Sequence, residues 1–236
     1  MQTVIVAAGR GSRLLASTDD RPKTLLPLGD GTILSAILAS FQAAGCAEFV
    51  LVTGYRGEQL ARFAAAPPPG LHIAVVENRE WERGNGLSVY AARAAVGDAP
   101  FLLSMSDHLV SPAALRAVLD APPGPALLLV DPRVDEVIDL DDATKVWVDD
   151  GRIIRIGKDL DHYNAVDCGI FRLDRRFFPA METALGRGRE GISDAMRELI
   201  AAGALAAVPL PAGAEWVDID TPDAYAHART HLARYR

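Results

Sequence analysis

The chain has 236 residues, a formal charge of −7 and a sequence pI near 5.2; half of its residues are hydrophobic and 23% are charged. That length suits one large domain or one domain with a sub-domain, and the apolar content excludes a disordered chain. The acidity excludes nucleic-acid binding through overall charge. Two cysteines, Cys46 and Cys168, exclude a disulfide framework, so a reducing compartment, the cytoplasm, is expected. The opening MQTVIVAAGRGSRL does not read as a signal peptide, because its apolar run is short and the basic residues follow it. No run reaches the roughly 18 apolar residues of a membrane span, so no membrane association is expected.

The elements alternate through the first half. Thr3–Ala8 reads as a buried parallel strand, followed by a Gly-bearing basic segment. Ile33, Leu34, Ile37, Leu38 and Phe41 recur at helical spacing as far as Gly45. Strands are predicted at Phe49–Thr53, His72–Val76, Phe101–Met105 and Ala126–Val130. Helices are predicted at Arg56–Ala65, Leu87–Val96 and Pro112–Leu119. This alternation predicts an α/β fold with a mostly parallel, doubly wound sheet.

The rhythm changes after about residue 131. Lys145–Val148, Ile153–Ile156 and Val166–Phe171 read as strands with tight turns, Asp149-Asp150-Gly151 being a hairpin signal, and predict a small antiparallel element. Helices near 174–185 and 192–202 follow, then a strand at 205–208 and the segment EWVDID at 215–220. A last helix starts at Thr221 with Pro222 in its first position. Residues 1–130 are expected to form a nucleotide-binding half and 131–236 a second half that builds the other wall of the site, in one globule.

Five constellations carry chemistry. Ala7-Ala8-Gly9-Arg10-Gly11-Ser12-Arg13-Leu14 ends the first strand; its glycines let backbone N–H groups approach phosphate oxygens, and Arg10, Arg13 and Lys23 add charge. It is no P-loop, and Leu14 stands where the dinucleotide fingerprint has its third glycine. A Gly-rich turn with solvated arginines is the other reading. Arg21-Pro22-Lys23-Thr24-Leu25-Leu26-Pro27-Leu28 holds a lysine beside that loop between two stiffening prolines. Ser106-Asp107-His108 ends a buried strand, where open α/β sheets place ligands, and Asp107 can hold a hard cation such as Mg²⁺ with Asp218 or Asp220. Strand alternation predicts Asp218 and Asp220 on one face. Helix capping is the competing role for Asp107 and Asp220, and a structural hydrogen bond for His108. Arg83-Gly84-Asn85-Gly86 opens a helix, with Glu77 and Asn78 ending the strand before it; a plain Gly-Asn turn is the alternative. The last constellation is Asp142–Val146 with Gly157-Lys158-Asp159-Leu160 and Tyr163–Phe171.

Together, GxGxRL followed by RPKxLLPL resembles the opening signature of the sugar-phosphate nucleotidyltransferases. The runs ATKVWVDDGRIIRIGKDL, NAVDCGIF and WVDIDT are similar to the CTP:inositol-1-phosphate cytidylyltransferase branch, over nearly the whole chain. The resemblance implies a GT-A-like variant of the Rossmann fold. It implies that Ala7, Ala8, Gly9, Gly11 and Ser12 cradle the nucleoside triphosphate, with Ser106 beside them. Arg13 and Lys23 then grip its phosphates. Glu77, Asn85 and Gly86 meet the base and ribose, and Asp107 and Asp218 hold Mg²⁺ with help from Asp220. Lys158 meets the acceptor phosphate, and His108, Asp167 and Glu190 face the acceptor. Tyr163, His162, Arg189 and the Arg175–Arg176 pair are further candidates around an acceptor site expected to be cationic.

The reaction implied is transfer of CMP from CTP to the phosphate or phosphonate of a small acceptor, with pyrophosphate release. The acceptor candidates are inositol-1-phosphate, phosphocholine, a sugar 1-phosphate used with UTP, GTP or dTTP, and 2-hydroxyethylphosphonate. The membrane-embedded phosphotransferase often fused to this branch is absent from the sequence. The partners expected are these small molecules, and a homodimer is compatible with the reading. A sugar transferase of similar scaffold usually carries Asp-x-Asp, whereas this chain has Asp107-His108-Leu109. A non-catalytic relative is free to lose Arg13, Lys23, Asp107, Lys158 and Asp218, all of which are present.

Overall fold

The computed structural model describes residues 1–11 and 21–236. In chain order the first half contains β1 (Thr3–Ala7), β2 (Pro27–Leu28), β3 (Gly31–Thr32), α1 (Ile33–Ala43), β4 (Glu48–Thr53), α2 (Gly57–Ala64) and β5 (His72–Glu77). It continues with α3 (Gly86–Ala91), α4 (Arg93–Val96), β6 (Phe101–Met105), β7 (His108–Val110), α5 (Pro112–Asp120) and β8 (Ala126–Asp131). The second half contains β9 (Lys145–Asp149), β10 (Arg152–Gly157), β11 (Ala165–Leu173), α6 (Phe177–Leu185) and α7 (Ile192–Ala201). It closes with β12 (Leu205–Pro209), β13 (Trp216–Asp218) and α8 (Pro222–Thr230).

Among the described residues, nine strands form one sheet in the order β5-β4-β1-β6-β11-β8-β12-β10-β9. The first four run parallel, as do β8 and β12. Only β11 and β10 run against the rest, so the sheet is mostly parallel. It crosses the 130/131 division without interruption, because β11 sits between β6 and β8.

Both faces of the sheet are covered, which explains why its central strands are apolar without alternation. Ile5, Phe49, Leu51 and Leu102 point into one core, against α1, α2, α5 and α8. Val4, Val50, Val52, Phe101 and Leu103 point into the other, against α3, α4, α6 and α7. Helix starts follow local chemistry: Thr32 Oγ1 accepts the Ser35 N–H at the head of α1, and Thr221 Oγ1 accepts the Ala224 N–H at the head of α8. The hairpin predicted at Asp149-Asp150-Gly151 joins β9 to β10, with Asp150 (φ 45°) and Gly151 (φ 72°) both left-handed as its twist requires.

Three features depart from the reading of the sequence. The helix expected over 87–96 is divided into α3 and α4, the turn tightening where the Ala92 N–H reaches Val89 O. β11 carries a bulge against β8 between Asp167 and Phe171, centred on Gly169 (φ 72°). The WVDID segment is a strand only to Asp218. Its partner is not the main sheet but β7, in a two-stranded antiparallel ladder.

Candidate active site

The small ladder assembles the site. It pairs Trp216 with Val110, Val217 with Leu109 and Asp218 with His108, and the Ile219 N–H donates to Asp107 O at 2.9 Å. The C-terminal end of β6 and the end of β13 therefore deliver three aspartates to one place. Lys23 comes from the single turn 23–25 that follows Pro22. Its ammonium lies 2.6 Å from Asp107 Oδ2 and is also ion-paired with Asp220. The Lys23 stem runs over the Gly-rich loop so closely that a Cβ on Gly11 (φ 66°) would stand 2.6 Å from Lys23 Cβ. Gly11 is thus required for the lysine's path as well as for its own backbone conformation.

His108 Nδ1 is 2.8 Å from Asp107 Oδ1 and 3.9 Å from Asp218 Oδ1. Its ring stacks on Trp216 (5.7 Å, 15°), and the space a Gly169 Cβ would take is filled by the same ring. The bulge in β11 thereby makes room for the imidazole. It also turns Asp167 so that its Oδ1 accepts the Gly169 N–H at 2.7 Å.

The electrostatics follow from burial and these partners. Burial alone would lift the Asp107 carboxyl; Lys23 and His108 reverse this and hold it well below the usual carboxylate range. Burial alone would lower His108, but Asp218, Asp107 and Asp167 carry it up to about 9. Burial pushes Asp218 up to about 7 against the pull of His108, and Asp167 to about 6. Among the described residues, the buried Oδ1 of Asp218 has no hydrogen-bond partner.

Two cavities meet at this cluster. One, of about 310 Å³, is lined by Ala8, Gly9, Gly11, Trp81, Arg83 and Ser88. The other, of about 250 Å³, is lined by Ile138, Asp139, Asp142, Thr144, Lys158 and Asp167. Asn85, Met105, Asp107 and Asp220 line both. Asp107, His108 and Asp218 place ligand atoms within 4.8 Å of one another. Hard oxygen donors, with one buried carboxylate oxygen unpartnered, fit a divalent cation. An anionic ligand enclosed by Gly9, Gly11 and Lys23 would lie on one side of the aspartates, and a second ligand beside Lys158 on the other.

Comparison with known proteins decides the family. A family model described as MobA-like NTP transferase domain matches residues 3–202. The chain belongs to this family. The bifunctional IPC transferase and DIPP synthase of Rubrobacter xylanophilus is 35% identical over 219 residues, 92% of this chain and 49% of that protein. The CMP-5'-(3-aminopropyl)phosphonate synthase of Streptomyces rubellomurinus is 32% identical over 194 residues, 77% of this chain and 30% of that protein. The solved inositol-1-phosphate CTP transferase of T. maritima superposes with a TM-score of 0.87 at 27% identity, covering 99% of this chain and 95% of that one. The chain spans about half the length of the curated relatives it matches first.

The NTP transferase domain gathers most, not all, of the residues read from its sequence. Ala8, Gly9, Gly11 and Ser106 line the first cavity, while Ala7 is buried in the core beneath them. Ser12 and Arg13 lie outside the described residues. Asp107, Asp218 and Asp220 converge, although Asp220 stands beyond the strand, so strand alternation is not what aligns it with Asp218. Lys158 lines the second cavity, ion-paired with Asp142 at 2.7 Å.

Other expected residues stand elsewhere. Glu77 is exposed and paired with Arg79, away from both cavities. Gly86 packs its open side against Met181 and Glu190 O. Glu190 does not line the second cavity; its carboxylate holds Arg83 and the Gly84 N–H. Tyr163, His162 and Arg189 are not among the lining residues; Arg175 and Arg176 border a different groove, and Arg176 is tied to Asp174. The cavity expected to be cationic is acidic: Asp139, Asp142, Asp167 and the three convergent aspartates face Lys158 and His108.

Trp81 and Asp139 line the cavities and stand outside every motif read from the sequence, whereas Trp216, Arg83 and Thr144 lie within those motifs with no role of their own assigned. A polar signal existed for Asp139 and Thr144, which flank the already suspect Asp142. Nothing in the sequence alone marks Trp216 as the platform under His108. Among the described residues, no helix is long and apolar enough to cross a membrane.

Proposed function

We propose that the chain is a Mg²⁺-dependent cytidylyltransferase that moves CMP from CTP to the phosphate of a small polyol, such as inositol-1-phosphate, and releases pyrophosphate. The observation that carries the reading is the junction itself: Lys23 and three aspartates stand between a Gly-lined cavity and a cavity bearing Lys158. Residues 1–130 supply most of the nucleotide side, and 131–236 most of the acceptor side.

In this mechanism an acceptor phosphate oxygen attacks the α-phosphorus in line as pyrophosphate departs. No strong general base is required, because a phosphate monoester has a second pKa near 6 and is already largely a dianion. The protein's work is to position and to neutralise. Lys23, with Arg13, balances the charge of the departing pyrophosphate. Lys158 draws the acceptor phosphate towards the cluster. Asp107, Asp218 and Asp220 would hold Mg²⁺, which supplies charge neutralisation at the reacting phosphates. His108, held by Asp107 and stacked on Trp216, faces the acceptor. Asp167 and the carboxylates of Asp139 and Asp142 accept hydrogen bonds from the acceptor's hydroxyls.

The acidic lining also favours a second reading, an acceptor whose far end is an ammonium, as in 3-aminopropylphosphonate. Carboxylates accept from either donor. Pyrophosphate release with Mg²⁺ tests both: CTP, UTP, GTP, ATP and dTTP are crossed with inositol-1-phosphate, phosphocholine, glucose-1-phosphate, 2-hydroxyethylphosphonate and 3-aminopropylphosphonate. Release with CTP and one polyol or amine acceptor supports the reading. Release only with another nucleotide, or none with any pair, removes it.

A further inference from the structure

The segment that opens α7 belongs to the second half of the chain, yet its bonds go to the loop before α3. Glu190 Oε1 lies 2.5 Å from Arg83 Nη2 and 3.1 Å from Arg83 Nε. Glu190 Oε2 accepts the Gly84 N–H at 3.2 Å, and Glu190 O accepts the Gly86 N–H at 3.0 Å. In return Asn85 Oδ1 accepts the Ile192 N–H at 2.9 Å. The two glycines are explained by this strap: a Cβ on Gly84 would run into the Glu190 backbone, and one on Gly86 would stand 2.7 Å from Glu190 O. The loop so held contributes Arg83 and Asn85 to the nucleotide cavity. Asn85, Ile192 and Ser193 line the acceptor cavity. One strap therefore borders both cavities.

We propose that Glu190 is a positioning residue for nucleotide recognition, fixing the backbone and the guanidinium of the 83–86 loop from the acceptor half of the chain. The proposal rests on the nucleotidyltransferase reading above. The Arg83–Glu190 pair is partly exposed, and such a pair alone contributes little. The weight falls on the carboxylate's bond to the Gly84 amide, which freezes a loop that Gly84 and Gly86 would otherwise leave mobile. Glu190→Ala removes the Gly84 bond and leaves Arg83 paired with Glu80 alone, while the Gly86 bond to the main chain remains. Glu190→Gln keeps an oxygen for the Gly84 N–H and loses only the charge facing Arg83.

The test is calorimetric titration of the wild type, Glu190→Ala, Glu190→Gln and Arg83→Ala with CTP and UTP in Mg²⁺. Steady-state kinetics with the acceptor found active, at saturating CTP, and a thermal melt of each variant accompany it. CTP affinity is expected to fall about tenfold in Glu190→Ala, the effect of one hydrogen bond to a charged group, and by less in Glu190→Gln. The CTP-to-UTP preference should narrow, the acceptor KM should hold, and Tm should stay near that of the wild type. Unchanged CTP affinity in Glu190→Ala, or a rise in acceptor KM with CTP affinity intact, overturns the positioning role. Wild-type protein that binds neither nucleotide overturns the functional reading and this proposal with it.

Discussion

Asp218 stands directly opposite His108 in the ladder between β13 and β7, and its Oδ1 is 3.9 Å from His108 Nδ1. Two segments far apart in the chain thus meet as neighbours, and the second of the three convergent aspartates is placed by a pairing of three residues. Disrupting that pairing should disable the site without unfolding the main sheet, which β13 does not join.

Asp218→Asn should weaken divalent-cation binding by tenfold or more and leave stability nearly unchanged. The carboxyl is already pushed up by burial, and its Oδ1 satisfies no described donor. Calorimetric titration with Mg²⁺ or Mn²⁺ checks this. Undiminished metal affinity would remove Asp218 from the ligand set.

Lys23→Met should cost both activity and stability. The ammonium is buried between Asp107 and Asp220, and removing one partner of a buried ion pair costs about 3 kcal/mol. The loss should be smaller in Mg²⁺, because a bound cation replaces the missing charge. Thermal melts with and without Mg²⁺ read the difference; a deficit identical in both would contradict the shared location of the lysine and the cation. Turnover should fall by roughly 10²-fold or more, as for loss of one stabilising charge in a phosphoryl or acyl transfer site.

Much of this site is legible in the sequence, and the illegible part has a physical cause. The end of a buried apolar strand locates Asp107, and the Gly-rich loop with its neighbouring lysine locates the first cavity. Strand and helix positions in the first half follow because both faces of the sheet are covered, so β1 and β4 are apolar throughout. The direction of Glu190 is not legible, since it depends on where α7 starts relative to α3, a tertiary packing that Met181 and two glycines decide. The acidity of the cavity beside Lys158 is likewise hidden. Asp139, Asp142 and Asp167 are separate in the chain and meet only because β9 pairs with β11.

Gly169→Ala should destabilise the protein by about 2–4 kcal/mol and impair catalysis. The residue has φ 72°, where a side chain is strained, and the added methyl displaces the His108 ring. Urea unfolding gives the stability change, and an unaltered midpoint would show that the bulge tolerates a side chain.

Asp131 supports the platform under the site. Its Oδ2 accepts the Trp216 indole N–H at 2.8 Å, and its carboxylate accepts two bonds from the Arg133 guanidinium. Burial alone would raise this carboxyl; Arg133 and Trp216 instead hold it below the usual range. A depressed folded pKa means that the contribution is complete above the unfolded value near 4 and is lost as the pH falls through the folded one. Asp131→Asn should therefore lower stability by about 2 kcal/mol at pH 7, and the gap to the wild type should close as the pH falls below about 4. A gap independent of pH would mean that the carboxylate charge does not matter to the platform.

Phosphorus NMR reads transfer of a nucleotidyl group across the Asp107 junction directly. Wild-type protein with CTP, inositol-1-phosphate and Mg²⁺ should convert the acceptor's monoester resonance into a coupled pair of diester-type phosphoanhydride resonances as pyrophosphate appears, and Asp107→Ala should leave the spectrum unchanged. Pyrophosphate appearing with the acceptor's resonance untouched, or identical spectra for the wild type and Asp107→Ala, would contradict the account.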